Sequence, residues 1–170
     1  MAQGLPDFVW DWVKLAEGGF SHAVGDAGGK TQYGIAAAWH PKEWADGRVT
    51  EEEARAVYAE KYWLAQGCDR LSPALGLLCV DLFIQHPPLA AGRLWQRAIQ
   101  EKPLDGVIGE SSIRTAQRAP LASVQERYFP LRAIHYLDLI RADSSLLKFR
   151  ECWLGRLFKL QRYLLSLPAR

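Results

Sequence analysis

"LAEGGFSHAVGDAGGKTQYGI", residues 15–35, is the stretch on which the fold turns. Apolar spacing is helical on both sides of it, so a strand has room only here. Glycines at 18, 19, 25, 28, 29 and 34 break any helix, and they alternate with Glu17, Asp26 and Thr31. The stretch reads as a long glycine-rich loop with space for a small hairpin, and the chain as all-α.

Upstream, Asp7 is the expected cap of a first helix, with Phe8, Trp12 and Leu15 along its apolar stripe and Gly18-Gly19 as its stop. Downstream, a short apolar piece at 36–39 halts at Pro41. Thr50 and Glu53 in "TEEEARAVYAEKYW" form a capping box, with three glutamates at the favourable end of the helix dipole. Ser72-Pro73 opens a buried helix over "SPALGLLCVDLFIQ". Further helices are expected over 89–101, from Ser111 or Ser112, over 121–142, and over 145–167. The last carries an apolar stripe at 146, 149, 153, 157, 160, 164 and 167.

Composition narrows the class. With 49% apolar and 24% charged residues, the 170-residue chain is an ordinary globular one, large enough to bury a core. The net charge of +2 conceals a basic C-terminal third: residues 112–170 carry 11 cations against 4 anions. That third suits an anionic envelope polymer, or else it is a solvated face. No nucleic-acid motif accompanies it. Cys68, Cys79 and Cys152 lack ligand spacing and read as reduced core residues, so neither a structural zinc site nor a disulfide framework is expected. The N-terminus has no signal-peptide pattern, and the longest apolar run, 75–84, is interrupted by Asp81 and too short to span a bilayer. Asp81 is expected to cap or pair with a buried polar group.

The loop itself carries chemistry. Glu17 stands at the negative end of a helix dipole, beside Phe20, and both surroundings favour its protonated form. Asp26 lies among backbone amides that favour its charged form, and Thr31 adds a hydroxyl. A protonated and a charged carboxyl together suit glycoside hydrolysis. Aspartate and threonine are also common turn residues, so the residues alone leave catalysis and turn-building both open.

The motif resembles that of glycoside hydrolase family 108, the phage-type N-acetylmuramidases. It reads here as Glu17-Gly18-Gly19-Phe20, then Asp26-Ala27-Gly28-Gly29-Lys30-Thr31-Gln32-Tyr33-Gly34-Ile35. "TEEEARAVYAEKYWLAQGCDRLSPAL" is similar to a later segment of that family. "LWQRAIQEKPLDGVIGESSIRTAQ" resembles its C-terminal peptidoglycan-binding region, and "FRECWLGR" a motif near its end. After Asp81 the chain departs from the family, with Gln85-His86-Pro87 where an Asn-x-Gly element is usual.

The resemblance implies an all-α, lysozyme-like, two-lobed helical domain. Residues 1–86 would be its catalytic region and 87–170 a C-terminal peptidoglycan-binding lobe, joined without a linker into one unit. It implies cleavage of the β-1,4 bond between N-acetylmuramic acid and N-acetylglucosamine. Glu17 would be the proton donor, with Asp26 and Thr31 positioning water or stabilising the oxocarbenium charge; by analogy with phage lysozymes the outcome would be inversion. Gln32, Tyr33, Gln85 and His86 are expected substrate contacts. His22 is open between substrate contact and loop solvation, and Trp39 between a sugar subsite and core packing.

The expected biology is a monomeric phage or prophage endolysin that acts on peptidoglycan without cofactor or metal. It would be made in the host cytoplasm and work in the periplasm or cell wall. A secreted wall-degrading effector and a non-catalytic peptidoglycan-binding module are the alternatives. The basic, amphipathic final helix is expected to pack on its own domain, with attack on a membrane surface as the other reading.

Overall fold

A computed structural model describes residues 4–19 and 29–167. Asp26, Phe20 and His22 lie outside the described residues. Among those described, helices dominate and one two-stranded antiparallel sheet is present, the all-α, lysozyme-like class expected. The chain divides into two compact units, Met1–Trp63 and Leu64–Arg170.

In the first unit, α1 spans Asp7–Glu17. Pro6, not Asp7, occupies its N-cap; Asp7 is the first helical residue and pairs with Arg55. The face it buries is Val9, Trp10, Trp12 and Val13, while Leu15 is 53% exposed. The stripe therefore runs one position away from the one expected, because the two tryptophans supply most of the apolar area to bury. Strands β1 (Thr31–Gln32) and β2 (Ile35–Ala36) pair Thr31 with Ala36 and Gln32 with Ile35. Both residues between them have positive φ, 52° at Tyr33 and 77° at Gly34. That is the twist-matching two-residue hairpin turn. Helix α2 (Glu51–Tyr58) starts at the expected capping box, with reciprocal Thr50 and Glu53 bonds. It then widens into a π-helical segment, Ala59–Leu64.

In the second unit, α3 (Pro73–Gln85) is buried from Leu75 to Phe83, which makes it the unit's central helix. Helix α4 (Pro88–Ala98) packs on α3, α6 (Leu121–Ala142) packs on α4, and α7 (Arg150–Ser166) packs on α6. Helix α5 (Glu110–Arg118) is anchored at its first turn by a two-pronged Arg70–Glu110 ion pair, both contacts 2.8 Å. Cys68 and Cys79 are buried and free. Cys152 is exposed, against expectation, because it falls on the outer side of α7. That helix turns Leu157, Leu160 and Leu164 inward but leaves Phe158 64% and Leu165 81% exposed.

The loop after α4 is held by Gln96. Its carboxamide donates to Asp105 Oδ1 and Val107 O, and accepts from Gly106 N at 2.8 Å. This draws the loop onto Gly92, where a Cβ would run into the Gly106 carbonyl. Gly92→Ala must push α4 and the loop apart. A loss of about 1–3 kcal/mol in urea unfolding is expected, and an unchanged midpoint would contradict this packing.

Asp81 is fully buried and bonded by two arginines. Arg132 comes from α6 and donates to Asp81 Oδ2, to Tyr128 Oη at 2.9 Å and to Tyr136 Oη at 2.6 Å. Arg156 comes from α7 and donates to Oδ1 through Nε at 3.1 Å and Nη2 at 2.8 Å. Burial opposes the charge on Asp81, but the Arg156 and Arg132 guanidiniums overcome it and hold the carboxyl down at about 2.

Candidate active site

Glu17 is the last residue of α1, because Gly18 follows with φ 75° and its N–H closes on Lys14 O at 3.1 Å. The carboxylate-bearing side chain is half-buried. Against its stem lies the hairpin turn: a Cβ on Gly34 would stand 3.0 Å from Glu17 Cγ and 3.1 Å from Glu17 Cβ, and would strike the Tyr58 hydroxyl. Gly34 is therefore required twice, for its positive φ and for the missing Cβ.

The turn is fastened from α2. Tyr58 Oη donates to Tyr33 O at 3.0 Å, and the Trp10 ring meets the Tyr33 and Tyr58 rings at 5.7 and 6.1 Å. Trp10 Nε1 is itself directed by Glu51, at 2.5 Å. Tyr62, four residues beyond Tyr58 and 5.5 Å from it ring to ring, has its phenol pushed up by burial first and by the Glu17 charge second. Glu17 thus stands at a helix stop with its stem against the fastened hairpin turn. Such a group can exchange a proton with a bound ligand while its stem is held still.

The other expected site residues divide as follows. Thr31 and Gln32 sit on β1, half-buried, and alternate across the hairpin. Gln32 Oε1 accepts from Val49 N at 3.1 Å, so that end of its amide tethers the chain ahead of α2. Tyr33 occupies the turn beside Glu17. Asp26 lies outside the described residues. Trp39 is 72% exposed, which removes core packing as its role.

Gln85 and His86 belong to the second unit. Tyr136 donates to Gln85 Oε1 at 3.2 Å. His86 is only 7% exposed, edge-on to His135 at 5.0 Å and tilted against Tyr136 at 5.5 Å. Burial first, then the Arg132 charge, lowers its imidazole to about 3, so it is neutral near pH 7. Among the described residues no group of three His, Cys, Asp or Glu side chains is arranged to hold a metal ion. No helix among them is long and apolar enough to cross a membrane.

Sequence reasoning passed over Tyr58 and Tyr62. Their four-residue spacing behind a secure helix start was the available signal. What it lacked was the π-helical widening from Ala59, which alters the direction in which Tyr62 projects.

A family model described as Glycosyl hydrolase 108 matches residues 10–86. That span includes Glu17, the hairpin and α3. No curated protein matches the chain. The solved structure of Brucella abortus SagA is similar to it: 22% identical over 94% of each chain, with a TM-score of 0.74. At that identity the likeness speaks for the fold.

Proposed function

We propose that the chain, which the glycosyl hydrolase 108 family model matches over residues 10–86, is a glycoside hydrolase of the N-acetylmuramidase type. In this reading it hydrolyses the β-1,4 bond between N-acetylmuramic acid and N-acetylglucosamine in peptidoglycan. The observation that carries the proposal is the setting of Glu17, whose stem lies against Gly34 at the end of α1, in a hairpin turn that Tyr58 fastens through Tyr33 O. Glu17 gives its proton to the leaving glycosidic oxygen. Asp26, aided by Thr31, positions water or steadies the developing oxocarbenium charge. Gln32 and Tyr33 are proposed substrate contacts, with Trp39 as an exposed face on which a sugar ring stacks; Gln85, bonded to Tyr136, and His86, 7% exposed, are instead held within the second unit.

The proposed role is that of a phage or prophage endolysin, made in the host cytoplasm and acting on the wall as a monomer. Residues 1–86 would carry the catalysis and 87–170 would help to hold peptidoglycan. Incubating the protein with purified peptidoglycan and identifying the released ends tests the chemistry. New reducing N-acetylmuramic acid ends are expected; binding without any release would instead make the chain a peptidoglycan-binding module.

Gly34→Ala supplies a second check. The alanine Cβ must displace the Glu17 stem and the Tyr58 hydroxyl. A displacement on the order of 1 Å is enough to cost about 100-fold in rate. A fall of that order in release rate, with substrate binding nearly unchanged, is expected. Wild-type rates from a folded Gly34→Ala protein would separate Glu17 from the reaction.

A further inference from the structure

Within the second unit, Ala90, Arg93, Leu94 and Arg97 of α4, Leu104 of the next loop and His135 of α6 line a cavity of about 370 Å3. Arg93 and Arg97 are one helical turn apart, so their guanidiniums rise from the same face of α4. Both are exposed, and neither makes a hydrogen bond or ion pair with any described residue. Asp105 is the acid whose charge reaches Arg93. Its Oδ1 is already engaged by Gln96 Nε2 at 2.7 Å and Val107 N at 2.9 Å. Two cations thus face a cavity with their donors available. Leu94, buried, and Leu104, 37% exposed, give the same cavity an apolar wall.

Paired guanidiniums match the geometry of a carboxylate, which accepts two parallel N–H bonds. An apolar wall beside them favours an anion that carries a small aliphatic group over a bare one. We propose that this cavity binds the terminal carboxylate of a short peptide ending in an alanine-sized residue, as the stem peptides of peptidoglycan do. The inference rests on the wall-cleaving reading for its ligand, but not for its geometry. Glycan would be handled in the first unit and the peptide branch in the second, so that strands bearing stem peptides are preferred over bare ones.

The experiment uses the full chain carrying Glu17→Gln, which keeps substrate intact. Calorimetric titration compares a soluble stem pentapeptide ending in D-alanyl-D-alanine with its C-terminal amide and with inorganic phosphate. The free acid is expected to bind at least about tenfold more tightly than the amide, one charge-assisted bidentate contact being lost in the amide. Arg93→Gln/Arg97→Gln should reduce acid binding at least as much. Both positions are exposed, and an unchanged unfolding midpoint will show that the double variant folds. Equal binding of acid and amide, no binding of either, or a double variant that binds like its parent would overturn the proposal. Phosphate displacing the peptide at equal concentration would also overturn it, and would make the cavity a phosphate site.

Hydrolysis of peptide-free glycan by the protein with Glu17 intact keeps the two readings apart. Peptide binding lost with hydrolysis retained sinks the cavity alone. Hydrolysis absent with peptide binding retained sinks the muramidase assignment alone.

Discussion

Replacing Asp81 with alanine is expected to destabilise the second unit by about 3–5 kcal/mol, the cost of leaving buried charges without their partner. Asp81 is bonded by both Arg132 and Arg156, whose side chains are 1% and 8% exposed. Its loss leaves two guanidiniums facing one another in a site that water does not reach. Tyr128 and Tyr136 bond Arg132 through their hydroxyls, yet neither supplies a charge. Thermal melting should fall on the order of 10 °C for a chain of this size. A combined Asp81→Leu/Arg132→Met/Arg156→Met variant should recover most of the loss, since apolar replacement of a whole buried charge cluster is often neutral or better. An Asp81→Ala protein that melts with the wild type would show that the cluster is not buried in solution.

The same groups make the protein acid-sensitive in a defined window. Unfolded, His86 takes up a proton near its ordinary 6.5 and Asp81 near 3.8; folded, they resist until about 3 and about 2. Both folded values lie below the unfolded ones, so the stability they supply is complete above pH 6.5 and 3.8 respectively. It drains away as pH falls towards 3 and 2. Between pH 6 and 4 the slope from His86 alone approaches about 1.4 kcal/mol per pH unit. His86 Nε2 has no hydrogen-bond partner among the described residues, so His86→Leu removes the titration without stranding a polar group. Urea midpoints at pH 6.5 and 4.5 should diverge in the wild type and draw together in His86→Leu.

The second large effect is on turnover. Glu17→Gln keeps the shape of the side chain held by Gly34 and removes only the acidic proton. A fall of about 100- to 10,000-fold in kcat is expected, the usual contribution of a positioned acid or base. Affinity for peptidoglycan should change little, because the amide still fills the same space. Retention of more than about a tenth of the activity would move the proton donor elsewhere, with the loop around Asp26 the first place to look.

Much of this molecule is determined locally. The capping box at Thr50 and Glu53, the proline start at Pro73, the stop at Gly18 and the helix over 121–142 all depend on residues within a few positions of one another. One sequence suffices to read such features. The glycine-rich stretch declared itself in the same way, since Gly34 with positive φ is what a two-residue hairpin requires.

What the tertiary structure alone decided is which side each amphipathic surface turns to, and which distant charges meet. Leu15 and Cys152 look like core residues in one dimension but lie on the surface, and Trp39, open between core and sugar subsite in the sequence, is exposed as well, because tryptophans and leucines nearby claim the limited interior. Arg132 and Arg156 look like part of a basic outer face, yet they are buried on Asp81, 51 and 75 positions away in sequence. That Asp81 needs a partner was legible from its apolar helix, but burial makes the pairing obligatory without saying which distant cations supply it, and only packing brings these two there. The same holds at Glu17. The glutamate was legible from its helix stop, whereas Tyr58, which fastens the turn against its stem, became visible only once α2 had packed beside the hairpin.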